Sequence, residues 1–130
     1  MRILILALIF PAHALAFSPE KMRTEETFGA WTVVCDSVDD MGGITYFDCA
    51  ATPAPGIYLR ASPATAMLVA RAGATLTGLP ITPCAAGQCS PSLDPASMET
   101  LLPDVRANGT ALEPTGFAQA FAAINRLLKR

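Results

Sequence analysis

The stretch FGAWTVVCDSVDDMGGITYFDCA (Phe28–Ala50) decides how this chain folds. Its first third, FGAWTVVCD, is rich in aromatic and β-branched residues and reads as a strand. Side chains alternate across a strand, so Trp31, Val33 and Cys35 share one face. ITYFDCA (Ile44–Ala50) reads as a second strand, and the residues between, Asp39-Asp40-Met41-Gly42-Gly43, supply a turn. The whole is a hairpin carrying Cys35 on one arm and Cys49 on the other.

Working outward, the same short rhythm continues. GIYLRAS follows the Pro53/Pro55 break as a third strand; AMLVARAG and ATLTGLPIT read as a fourth and a fifth, joined at Arg71 to Gly73. Gly and Pro punctuate the chain at short intervals, which points to an antiparallel sandwich or barrel. SLDPASMETLLPD breaks the pattern. Asp94 can cap a helix whose first position is Pro95, with Met98, Leu101 and Leu102 as its apolar side, so a helix is expected over Pro95–Leu102. VRANGTAL reads as a hairpin with Asn108-Gly109 in a type I′ turn. Phe117, Phe121, Ile124 and Leu128 form a single apolar stripe at helical spacing, so a C-terminal helix is expected to pack on the domain's own sheet.

The N-terminus has a different character. MRILILALIFPAHALA has a positive Arg2, an apolar run from Ile3 to Phe10 and a small-x-small Ala14-Leu15-Ala16, the pattern of a secretory signal peptide cleaved after Ala16. The apolar run stops at Pro11, well short of the ~20 residues a membrane-spanning helix needs. Residues 17–27 (FSPEKMRTEET) are polar and read as an exposed leader, with the domain proper starting at Phe28. Removing residues 1–16 takes Arg2 from nine basic groups and leaves eight against eleven acidic ones, a formal charge of −3. No basic cluster points to nucleic acid. No later segment is apolar enough to span a membrane, because the most apolar stretch, Ala61–Ala86, contains Arg71, three prolines and two glycines. The expectation is a periplasmic or secreted protein of one domain, residues 28–130.

The chain's one histidine, His13, leaves with the signal peptide. That removes Ser-His-Asp and Cys-His catalysis, and zinc sites built on imidazole, from the mature protein. Four cysteines in an exported protein suggest two disulfides, and three connectivities satisfy the count. The hairpin favours the sequential pairing, Cys35–Cys49 with Cys84–Cys89. The first closure stabilises by roughly 3 kcal/mol and the second by about 2 kcal/mol in the chain-entropy picture. CAAGQC (Cys84–Cys89) has four residues between its cysteines, where a thioredoxin-type motif has two at a helix N-terminus, so a structural clasp is the preferred reading over a redox pair or a metal site. Asp36, Asp39, Asp40 and Asp48 are the candidate carboxylates for a histidine-free enzyme, and two of them facing one cleft would be needed. Asp39 and Asp40 fall in the expected turn, where aspartate serves turn chemistry.

Three features occur in order: FGAWTVVC behind a signal peptide, the close pair in PCAAGQC (Pro83–Cys89), and the terminal GFAQAFAAI (Gly116–Ile124). Together they resemble the invasion-associated locus B family of exported bacterial proteins, from about Phe28 to Arg130. The resemblance implies an immunoglobulin-like antiparallel β-sandwich, finished by a helix that begins at Gly116-Phe117. It also implies a periplasmic or envelope location in a Gram-negative bacterium. It brings no catalytic residues and no cofactor; only its cysteines carry over, to Cys35, Cys49, Cys84 and Cys89. The combined expectation is a mainly β domain with one short internal helix and a C-terminal helix. It is non-enzymatic and binds another envelope protein or a host protein. A thiol-redox protein using Cys84 and Cys89 is the alternative, and a carboxylate enzyme the third reading.

Overall fold

A computed structural model of the chain describes residues 20–130. The expected signal peptide, residues 1–16, lies outside the described residues. Among these residues ten strands and two α-helices follow one another: β1 (Glu20–Phe28), β2 (Trp31–Asp40), β3 (Gly43–Ala54), β4 (Ile57–Ala61), β5 (Ala66–Arg71), β6 (Leu76–Thr77), β7 (Thr82–Cys84), β8 (Gly87–Cys89), α1 (Pro95–Leu101), β9 (Arg106–Ala107), β10 (Thr110–Ala111) and α2 (Phe117–Leu127). The fold is mainly β, antiparallel and sandwich-like, with an internal and a C-terminal helix.

Seven strands form one sheet in the order β1-β2-β3-β4-β5-β8-β7, and three short ones form a second, β10-β9-β6. Strands β1 to β5 each pair antiparallel with the next. An immunoglobulin-type sandwich has a full sheet in each layer. Here the second layer is built from the three short strands and both helices, all packed on one face of the large sheet.

That inner face carries the core. Trp31, Val33, Ala51, Ile57, Leu59, Leu68 and Ala70 project from alternate positions of β2 to β5 and are almost fully buried. Phe117, Ala120, Ala123 and Ile124 come down from α2, and Met98, Leu102, Val105, Leu76 and Ala107 fill the other end. The expected helical stripe therefore packs on the domain's own sheet. The Trp31 ring meets Phe117 edge-on at 5.3 Å between centroids, and its indole N–H donates to the Glu113 carbonyl at 2.8 Å. A buried tryptophan needs such an acceptor to hide its one polar group.

The residues dictate where α2 begins. Gly116 has φ +91°, and a Cβ there would stand 2.0 Å from the Phe28 carbonyl oxygen. Only glycine permits both the conformation and the approach. The helix start is thereby pressed against the β1–β2 turn. The Asn108-Gly109 turn forms as expected, with φ 54° and 84°. The Asn108 side chain also accepts from Thr75 N–H and donates to the Pro55 carbonyl, tying two loops together.

Several boundaries differ from the sequence reading. The exposed leader is an edge strand from Glu20, so the sheet begins eight residues before Phe28. Its side chains are indeed largely exposed, but Met22, Thr24 and Phe28 alternate as half-buried positions, and its order comes from a full ladder with β2. The turn after β2 is Met41-Gly42, and Asp39 and Asp40 belong to the strand. The fifth strand shrinks to Leu76–Thr77, because Gly78 takes φ +95° where a Cβ would meet the Asp104 backbone. Helix α1 ends at Leu101, and Leu102–Asp104 continue as a 3-10 turn around Pro103. The CAAGQC loop is itself a hairpin, β7 paired with β8. Three-residue strands are too short to show alternation in sequence.

Candidate functional site

One face of the seven-stranded sheet is covered; the other is uncovered among the described residues. Register decides which side chains stand on the open face. Thr24 pairs with Cys35, and Cys35 with Cys49, on the inner side; so Arg23 and Asp36 pair on the outer side, as do Asp36 and Asp48. Arg60, one position beyond Leu59 on β4, projects outward as well. The result is a charged row across four strands: Arg23, Asp36, Asp48, Arg60. Arg23 Nε donates to Asp36 Oδ1 at 3.0 Å, and Arg60 Nη1 donates to Asp48 Oδ1 at 2.9 Å. Asp36 and Asp48 are direct cross-strand neighbours. Like charges in that relation destabilise a sheet, and the flanking arginines offset this.

Next to the row stands Tyr58. The Arg60 guanidinium lies 5.4 Å and that of Arg71 5.3 Å from its ring centroid, both at cation–π distance. The two cations hold the ring, which is 9 % exposed, against Val69. Val34, Ala50 and Thr52 complete a shallow depression of about 310 Å³ whose charged lining is Arg23, Asp36, Asp48, Arg60 and Arg71.

Both cystines brace this face. Cys35–Cys49 joins β2 to β3 at the ladder position next to the Asp36/Asp48 pair. It clamps the two strands that the like charges push apart. Cys84–Cys89 closes the β7–β8 hairpin, and both cysteines pack with Tyr58, Val69, Ala50 and Met67 on the outer side. The pairing is the sequential one, and no cysteine among the described residues is free. The clasp of the sequence reading thus also forms the apolar rim beside Tyr58. Neither partner of the second pair stands at a helix N-terminus, the setting that lowers a thiol pKa.

Of the four candidate carboxylates, the fold brings Asp36 and Asp48 together and sends Asp39 to the hairpin end, opposite Ile44. The paired two do not face an enclosed cleft. Their side chains are 34 and 48 % exposed, and each has its arginine. The sequence reading passed over Tyr58, Arg23, Arg60 and Arg71. Alternation in IYLRA does place Tyr58 and Arg60 on one face, but which face, and which cross-strand neighbours they meet, depends on register.

At the end of β2 and β3, Met41, Ile44 and Phe47 are exposed at 101, 46 and 56 %. Phe47 is the extra residue of a bulge between Asp36/Asp48 and Ser37/Tyr46. No described helix is long and apolar enough to cross a membrane. Comparison with family models, with characterised proteins and with solved structures finds no match to this protein.

Proposed function

We propose that the protein is an exported, non-enzymatic domain of the invasion-associated locus B type, working in the periplasm or cell envelope. It binds a protein or envelope component through the outer face of its large sheet. The observation that carries this reading is the contrast between the two faces. One is sealed by two helices and a small sheet. The other is uncovered among the described residues and lined with arginines and a tyrosine. Arginine and tyrosine are residue types enriched where proteins bind proteins. Two cystines on a small domain suit an oxidising compartment, and the N-terminal sequence pattern supplies the export signal.

The test is site-specific photocrosslinking in cells of the native host, with the probe at Thr52 on the outer face or at Ala118 on the solvent side of α2. The docking face predicts a discrete adduct from Thr52 and none from Ala118. Adducts from Ala118 alone place the binding surface on the helix and overturn the reading.

A further inference from the structure

Six arginines fall among the described residues, and five have an acceptor for their guanidinium. Arg23 and Arg60 hold the two aspartates of the row; Arg126 holds Glu26 at 2.8 Å; Arg106 and Arg130 donate to backbone carbonyls. Arg71 has none among the described residues. It is nevertheless not a loose surface cation. Its guanidinium lies over the Tyr58 ring, 5.3 Å from the centroid, its strand is pinned by Arg71 N–H donating to the Gly56 carbonyl, and it borders the depression of the outer face. A guanidinium resting on a ring has less side-chain freedom to lose on binding than one with no contact.

We propose that Arg71, set on Tyr58 beside Arg60, receives a single carboxylate from a peptide lying across the outer face. This deepens the docking-face reading and rests on it. The charge arrangement selects the class. Three guanidiniums and two carboxylates line the depression, which leaves one positive charge unmatched. The whole protein is acidic, at −2. A densely charged polyanion is repelled by Asp36, Asp48 and the net charge. One planar carboxylate fits the fork of one arginine. The same face already pairs arginine with carboxylate twice, each through one N–H, at Arg23–Asp36 and Arg60–Asp48. The depression is shallow and open, so the carboxylate arrives on a peptide crossing the sheet and not as an enclosed small molecule. The carboxylate is that of an acidic side chain, as in the protein's own two pairs on this face, because a peptide that crosses the sheet presents side chains there and not its end.

The experiment is an NMR titration of the disulfide-intact protein at fixed ionic strength, following the Arg71 Nε–H and Tyr58 ring signals. The probes are an end-capped glycine peptide with one central Glu, its Gln analogue, an acetylated glycine peptide with a free terminal carboxylate, and inorganic phosphate. Saturable shifts at Arg71 with the Glu peptide, none with the Gln analogue and weaker ones with the terminal-carboxylate peptide are expected. Arg71→Gln is expected to weaken binding about tenfold or more, the size of a charge-assisted hydrogen bond. Arg71→Lys, which keeps the charge and loses the fork, falls between, and Lys129→Gln, an exposed cation at the end of α2, leaves binding unchanged. An equal response to the Gln analogue, tighter binding of phosphate or of the terminal-carboxylate peptide, or no saturable shift with the Glu peptide overturns the proposal. If a Thr52 crosslink is still found, the docking face stands and only the carboxylate class falls.

Discussion

Asp36 stands directly opposite Asp48 in the β2–β3 ladder, and each carboxylate is bonded to an arginine from the strand on its far side. The four charges are one unit. Removing Arg60 alone leaves Asp48 facing Asp36 without its own cation. Arg60→Gln and Arg23→Gln are each expected to cost about 0.5 kcal/mol, typical of exposed pairs. The double variant should lose more than the sum, and adding Asp48→Asn to Arg60→Gln should restore part of the loss. Urea midpoints of the five proteins measure this; strict additivity would show that the row is only two independent pairs.

Trp31 joins the sheet to α2 through Phe117 and to the Glu113 carbonyl through its indole N–H. Trp31→Ala should destabilise by roughly 3–5 kcal/mol, because the ring is fully buried. Trp31→Phe keeps an aromatic body but leaves the Glu113 carbonyl without its donor, at about 1–3 kcal/mol. Gly116→Ala, which forces a Cβ onto the Phe28 carbonyl, should cost more than about 1 kcal/mol without touching the core. Chemical unfolding ranks the three. A neutral Gly116→Ala would mean that the helix start is free to move from the β1–β2 turn.

The two cystines close loops of different length, with sequence separations of 14 and 5. Cys35→Ala/Cys49→Ala should lose roughly 3 kcal/mol and Cys84→Ala/Cys89→Ala about 2 kcal/mol. Their functional effects should run the other way, because the second pair borders Tyr58. Losing it should broaden the Tyr58 and Arg71 signals while the core signals of Trp31 stay sharp. Unaltered Tyr58 signals would remove the clasp from the binding face.

Asp94 caps α1, with Oδ1 accepting from the Ser97 hydroxyl at 2.7 Å and Oδ2 from the Ser97 N–H at 3.1 Å. These hydrogen bonds, the hydroxyl first, hold its carboxyl below the ordinary value of 3.8. A depressed folded-state pKa stabilises the fold fully above the unfolded value, and the gain is lost as pH falls through the folded value. Asp94→Asn keeps a capping side chain and removes the charge. It should therefore be slightly less stable than the parent at neutral pH, and the gap should close below about 3.8. Melting temperatures across acid pH measure the gap; a constant one would assign the cap no charge dependence.

Much of the fold was legible because its signals are local. Trp31, Val33 and Cys35 alternate, Asp94-Pro95 starts a helix, Asn108-Gly109 makes a turn, and Phe117 to Leu128 keep helical spacing. What was missed depends on partners distant in sequence. β1 carries few apolar residues and is ordered by β2. β7 and β8 are held by one cystine and by β5. The outer face was invisible for the same reason. Arg23, Asp48 and Arg71 lie far apart in the sequence, and their meeting requires the register of five strands.

The proposed function requires this protein to work outside the cytoplasm as a sheet braced by two cystines. The most direct measurement is the intact mass of the protein from its native host, taken before and after reduction and alkylation. A polypeptide beginning at Phe17, four hydrogens lighter than its reduced form and inert to alkylation until reduced, is the predicted result. A full-length polypeptide beginning at Met1, with Cys35, Cys49, Cys84 and Cys89 free to alkylate, would contradict it.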